Sequence, residues 1–120
     1  MPVAQGDIYW VDVPGTVGSE QAGCRPYIIV SRLAINRSHP TVIGVPMTTK
    51  VNKANSYRIL IPLGEIVKDA SCTATLQNSV ALCDHVRVID QTLLRGKIGR
   101  LSQTAILSVG DGLGFIFDLR

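Results

Sequence analysis

Short apolar runs, each broken by glycine, proline or a polar cluster, constrain this chain more than any other feature of its sequence. Ile8-Tyr9-Trp10-Val11-Asp12-Val13 lies between Gly6-Asp7 and Pro14-Gly15, and Tyr27-Ile28-Ile29-Val30-Ser31 follows Arg25-Pro26. Further runs cover residues 41–48, 57–62, 71–76 and 79–89. Their β-branched content and turn-forming boundaries predict strands, and Pro46 within the third predicts an edge or bulge position. Only beyond Asp90, which is placed to cap a short turn over residues 91–95, does the period change. After a brief extended piece at 98–101, Ser102 is set to cap a closing helix, with Ala105, Ile106, Val109, Leu113, Ile116 and Phe117 on one face. Gly110, Gly112 and Gly114 each cost that helix about 1 kcal/mol against alanine. Close approach to another helix, across a dimer axis, is one physical reason to keep them. The pattern predicts a mainly β domain spanning residues 1–120, a small curled antiparallel sheet or partly open barrel of five to seven strands with a C-terminal helix. A barrel that small is filled by side chains, so function falls to its loops.

Composition narrows the class. With 46% apolar and 18% charged residues, the 120-residue chain suits a compact globule and not a disordered one. No apolar run approaches the roughly 20 residues of a membrane helix, and the N-terminus lacks a basic and apolar leader, which together predict a cytoplasmic protein with no membrane partner. Cys24, Cys72 and Cys83 form no CxxC pair, and with only two histidines no metal set can be assembled. They read as reduced thiols, of which Cys24 stands out because it adjoins Arg25. No nucleotide-binding glycine loop and no Ser-His-Asp pattern is present, and no cofactor is expected.

Charge is distributed unevenly. Between residues 21 and 64 lie six cations (Arg25, Arg32, Arg37, Lys50, Lys53 and Arg58) and no carboxylate. Such a stretch suits a phosphate-rich partner, although a solvated basic face with no partner has the same composition. Pairing of the second and third strands would bring Arg25 and Thr48 to one rim, where a guanidinium and a hydroxyl could hold a phosphate. Spacing alone fits an ordinary surface arginine and a strand-end hydroxyl at least as well.

The segment Gly18-Ser19-Glu20-Gln21-Ala22-Gly23-Cys24-Arg25-Pro26, with Gly6-Asp7-Ile8-Tyr9-Trp10-Val11-Asp12 before it, resembles the MazF/PemK (Kid) toxin family. So do Pro46-Met47-Thr48-Thr49-Lys50 and Ser79-Val80-Ala81-Leu82-Cys83-Asp84, and the likeness runs in order from about residue 5 to about residue 110. It implies an SH3-like barrel similar to that of the gyrase poison CcdB, a homodimer, metal-free cutting of single-stranded RNA and restraint by a MazE-like antitoxin. It also implies Arg25 and Thr48 as catalytic residues, Glu20 and Ser19 as active-site loop residues, and Asp84 as a base or RNA contact. Members that use an arginine two residues before this acid would need it at position 82, where this chain has Leu82. Asn78 and His85 likewise stand where aspartate and glutamine are common.

Metal-free cleavage uses the substrate's own 2′-hydroxyl as nucleophile, which restricts it to RNA. Arg25 suits charge stabilisation but not proton removal, since arginine stays protonated. For the base, Asp84, Glu20 and bulk water all qualify, with Asp84 the first choice. Aromatic platforms are scarce: Tyr9 and Trp10 are expected in the core and Tyr57 beside the basic loop as a stacking candidate. RNA contacts are therefore expected from Ser19, Gln21, Asn36, Thr49, Lys50, Lys53, Tyr57, Gln77 and His85. Two rival readings remain: a gyrase-binding toxin acting through its C-terminal residues, and a non-catalytic RNA-binding or antitoxin-sequestering module.

Overall fold

The computed structural model describes residues 2–13 and 23–119. Eight strands and two α-helices follow in the order β1 (Asp7–Val13), β2 (Gly23–Ile29), α1 (Leu33–Ser38), β3 (Thr41–Thr48), β4 (Arg58–Ile61), β5 (Ile66–Lys68), β6 (Ser79–Leu82), β7 (Arg87–Asp90), β8 (Leu94–Leu101) and α2 (Gln103–Phe117). Every pairing is antiparallel, in the spatial order β4-β6-β3-β2-β1-β8-β5, with β7 on β3 as well. The mainly β fold with a closing helix is thus the one the sequence predicts, with one strand more than the expected range.

The extra strand arises because the run at 79–89 is two strands. A 3-10 turn, Cys83–His85, separates β6 from β7 by tucking Cys83 inside and leaving Asp84 and His85 outside. Residues 71–76 form no strand; Cys72 and Leu76 instead pack as partly buried loop residues against the core. β8 begins four residues earlier than expected, at Leu94, where it pairs with Val11 of β1. Its far side takes β5, too short a segment to show a period. α1 carries no sequence signal because Arg32, at its N-cap, makes no side-chain capping bond.

Alternation along the central strands sorts side chains to two faces. Ile8, Ile28, Val45 and Met47 join Ile61, Ala81, Ile98, Leu101, Ala105 and Val109 beneath α2. Val11, Tyr27, Ile29, Val42 and Ile89 form a second cluster on the opposite face. Trp10 packs against the first cluster and Tyr9 against the second. Pro46 is fully buried in an interior strand, not at an edge. It sits where β3 changes partner: residues 41–44 pair with β7, while Met47 and Thr48 pair with β6. A residue that cannot donate a backbone hydrogen bond costs least at such a break.

Both sequence-predicted caps form: Ser102 accepts from the backbone N–H of Ala105 at 3.1 Å, and Asp90 from that of Thr92 at 2.9 Å. The glycines of α2 divide in a way the sequence does not announce. A Cβ on Gly112 would lie 2.9 Å from the Cys83 Sγ and 3.0 Å from the Ile59 Cγ1, so the close approach it permits is to β4 and the 3-10 turn of the same chain. Gly110 and Gly114 face open space. Gly112→Ala is therefore expected to lower the melting temperature, whereas Gly110→Ala and Gly114→Ala raise stability by up to about 1 kcal/mol each through helix propensity, as measured by urea and thermal unfolding.

Candidate active site

Strand pairing assembles the site. In the β2–β3 register Tyr27 faces Pro46 and Ile28 faces Val45; continued by two residues toward the rim, it sets Arg25 across from Thr48. On the other side of β3, Thr48 pairs with Val80 of β6, which brings Ser79 and Leu82 alongside. A pocket of about 590 Å³ opens there. Trp10, Cys24, Arg25 and Pro26 line it from β1 and β2, Met47, Thr48, Thr49, Lys50 and Lys53 from β3 and the following loop, and Ser79, Leu82 and His85 from β6 and its turn. Three cations and an imidazole thus share a wall that contains no carboxylate among its described residues.

Arg25 is half-buried and lines the pocket together with Trp10 and Pro26. The backbone N–H of Lys50 donates to the Thr48 Oγ1 at 3.3 Å. That bond occupies an acceptor lone pair of the hydroxyl and leaves its proton to be donated into the pocket. A 3-10 turn over Val51–Lys53 curls the next residues back, with the Lys53 N–H on the Lys50 carbonyl at 3.1 Å, so both ammonium groups stay near the rim. The wall can bind a dianionic or singly charged phosphate oxygen set through a guanidinium, a hydroxyl and two lysines.

Asp84 stands just outside this wall. Arg58 grips it with two parallel bonds, Nε to Oδ1 at 3.0 Å and Nη2 to Oδ2 at 2.8 Å. The Arg58 hydrogen bonds hold the Asp84 carboxyl below the usual aspartate range, and the same contact raises the Arg58 guanidinium. A carboxylate so engaged is a weak proton acceptor, which removes the attraction of Asp84 as the general base. Its Oδ2 lies 3.6 Å from the His85 Nε2. The guanidinium missing at Leu82 is therefore supplied from the neighbouring strand, since the β4–β6 register sets Arg58 opposite Leu82. Sequence reasoning counted Arg58 only as one charge of the basic stretch; the signal lies in the register of two strands and not in either one alone.

Comparison with known proteins bears on this arrangement. A family profile described as "PemK-like, MazF-like toxin of type II toxin-antitoxin system" matches residues 4–117. The chain belongs to the PemK/MazF toxin family. Within that family it is similar to Endoribonuclease EndoA of Bacillus subtilis, 33% identical over 113 residues that cover 94% of this chain and 92% of the relative. Endoribonuclease MazF of Staphylococcus epidermidis is 31% identical over 111 residues, covering 92% and 88%. Among solved structures, MazF from Deinococcus radiodurans superimposes with a TM-score of 0.75 at 20% identity over 99% of both chains. The MazE–MazF structure from the same organism gives 0.77 at 20% identity, over 100% of this chain and 99% of the other.

Not every residue singled out in this PemK/MazF-family chain reaches the pocket. Thr49, Lys50, Lys53 and His85 do. Glu20, Ser19 and Gln21 lie outside the described residues. Gln77 is exposed beyond the lining residues, and its carbonyl accepts from the Ser79 hydroxyl at 3.1 Å. Tyr57 stacks on Phe115 of α2, with ring centroids 5.8 Å apart and planes 15° from parallel, which ties the basic loop to the helix. Asn36 belongs to the fold and not to an RNA-facing surface: it is buried, donates to the carbonyls of Val3 at 2.8 Å and Ser31 at 3.0 Å, and accepts from the Ser31 hydroxyl. Trp10, Cys24, Ser79 and Leu82 line the pocket without having been anticipated there. Among the described residues no group of three or more His, Cys, Asp or Glu side chains could hold a metal ion. Nor is any described helix long and apolar enough to cross a membrane.

Asn36→Ala, which strands the Val3 and Ser31 carbonyls, is expected to cost about 1–3 kcal/mol of stability in urea unfolding. The Asp84–Arg58 contact makes a second prediction. Because the folded carboxyl titrates below its ordinary value of 3.8, the contact stabilises the fold above that value and loses this contribution as pH falls through the lower folded value. Acid unfolding followed by circular dichroism should find Asp84→Asn less stable than the parent near neutral pH, with the difference shrinking below about pH 4.

Proposed function

We propose that this chain is a sequence-specific endoribonuclease toxin that cuts single-stranded mRNA in the cytoplasm. It acts as a homodimer and is kept silent by a MazE-like antitoxin protein. The observation that carries the reading is the placement of Arg25 and Thr48 on one wall that is also lined by Lys50, Lys53 and His85. The relatives named endoribonucleases and the MazE-bound neighbour from Deinococcus radiodurans support it.

The chemistry follows from the wall. The substrate's 2′-oxygen attacks the adjacent phosphorus, and negative charge grows on the non-bridging oxygens as the P–O5′ bond breaks. Arg25 meets that charge with the paired N–H donors of its guanidinium, and the Thr48 hydroxyl adds a third donor. Lys50 and Lys53 hold the flanking phosphates. The products are a 2′,3′-cyclic phosphate and a 5′-hydroxyl, with no metal or other cofactor in any step. DNA lacks the nucleophile and is not cut. Base recognition falls to the loop residues Thr49, Lys50, Lys53 and Tyr57 and to Ser19, Gln21 and Gln77, with Glu20 and Asp84 near the reacting phosphate.

Purified protein incubated with a long mRNA transcript in EDTA is expected to give discrete fragments ending in 2′,3′-cyclic phosphates. Arg25→Ala should lower kcat/KM by about 10²–10³-fold, and Thr48→Ala by a comparable or smaller factor. Intact RNA together with blocked DNA supercoiling would instead establish the gyrase-binding alternative. RNA binding without cleavage would establish the non-catalytic one.

A further inference from the structure

We propose that His85 is the general base of the cleavage reaction, and that Asp84 and Arg58 are positioning residues that orient it. The inference rests on the endoribonuclease reading above and supplies the proton acceptor which that reading lacks. His85 is the one described side chain of the pocket wall able to take a proton near neutral pH: its companions there are cations, hydroxyls, an exposed thiol and apolar groups. Arg25 cannot accept a proton, and Asp84 has both oxygens on Arg58.

The surroundings of His85 form a relay of three side chains on two elements, β4 and the 3-10 turn after β6. Arg58, on β4, fixes the Asp84 carboxylate through two bonds, and Asp84 presents Oδ2 to the His85 Nε2 at 3.6 Å. Of the two ring nitrogens, Nε2 is thus the one nearer the carboxylate and Nδ1 the one we assign to the substrate. A carboxylate behind an imidazole favours the ring's charged form, which stabilises it as it takes up the proton. The other charges that line the same pocket are Arg25 from β2 and Lys50 and Lys53 from the loop after β3. On the remaining side α2 packs on the same turn. Its Asp111 lines a groove on the helix's other side, and burial holds the intervening Cys83 thiol up at about 11, so it is neutral.

The step balances without a co-reactant. The 2′-hydroxyl proton passes to His85 as O2′ bonds to phosphorus; the P–O5′ bond breaks, and the departing 5′-oxygen takes a proton from water. The hydroxide so formed recovers the proton from the imidazolium. The side chain is half exposed, at 51%, and packs in neither core cluster, so its truncation leaves the fold intact.

Once the wild-type cleavage sequence has been mapped by end sequencing, kcat is measured against pH for the wild type, His85→Ala, His85→Gln, Asp84→Asn and Glu20→Gln. Binding is followed with a fully 2′-O-methylated oligonucleotide of that sequence, which cannot react. Both His85 variants should lose about 10²–10⁴-fold in kcat with binding changed less than about threefold. The acidic limb of the profile should vanish in both, and free imidazole should partly restore His85→Ala. Asp84→Asn should lower kcat less and move the limb to lower pH, because removing the carboxylate disfavours imidazolium. A His85→Ala enzyme within about threefold of the parent, or one that keeps its acidic limb, overturns the assignment. Loss of that limb in Glu20→Gln alone would move the role to Glu20. A wild-type protein that cuts no RNA fails the nuclease reading itself, an outcome visible before any His85 variant is made.

Discussion

The antiparallel register of β3 against its three neighbours is the constraint on which the rest of this structure depends. β3 is shared: its first half pairs with β7, its last two residues with β6, and its other edge with β2. A one-residue slip would reverse which side chains face each core cluster, and Val45 and Met47 would exchange places with Gly44 and Pro46. The same slip would turn Thr48 away from the wall that carries Arg25. Core packing therefore enforces the geometry of the pocket that Arg25 and Thr48 line.

Electrostatics then divides labour between two guanidinium groups. Arg25 stands on the pocket wall, whereas Arg58 is committed to Asp84 just beyond that wall. Two arginines in one acid-free stretch of sequence thus stand differently: one lines the pocket, the other is ion-paired to a nearby acid. Without Arg58, the Asp84 carboxylate would stand unneutralised beside the cationic wall of Lys50 and Lys53.

The outline of the fold was legible because strand runs, turn residues and caps all agree locally. The β1, β2 and β3 segments, the Asp90 turn and the Ser102-capped helix can be read directly from residue types. What could not be read was whatever depends on two segments at once. β6 and β7 look like one strand until α2 draws Cys83 inward, and β5 is recognisable only by its partner. Asn36 looks like a free polar side chain, because nothing local says that the Val3 carbonyl arrives above it. In the site, Arg25 and Thr48 were reachable from a guessed strand pairing, and Thr49, Lys50, Lys53 and His85 fell on the same wall. The Arg58 clamp was hidden, since it needs the β4–β6 register, and so was the altered standing of Asp84 that follows from it.

The sharing of β3 has a consequence for the cell that makes this protein. The pocket wall draws on residues 24–26, 47–53 and 79–85, and β1, which backs it, is closed on its outer side only when β8 arrives at residues 94–101. An N-terminal stretch emerging from the ribosome holds Arg25 and Thr48 but neither Ser79, Leu82 and His85 nor the strand that seals β1. The wall is completed only once residues 79–85 and β8 have been made, so a growing chain short of them carries no finished pocket. Time between translation of the wall and its closure is then available for a partner to meet the folding protein.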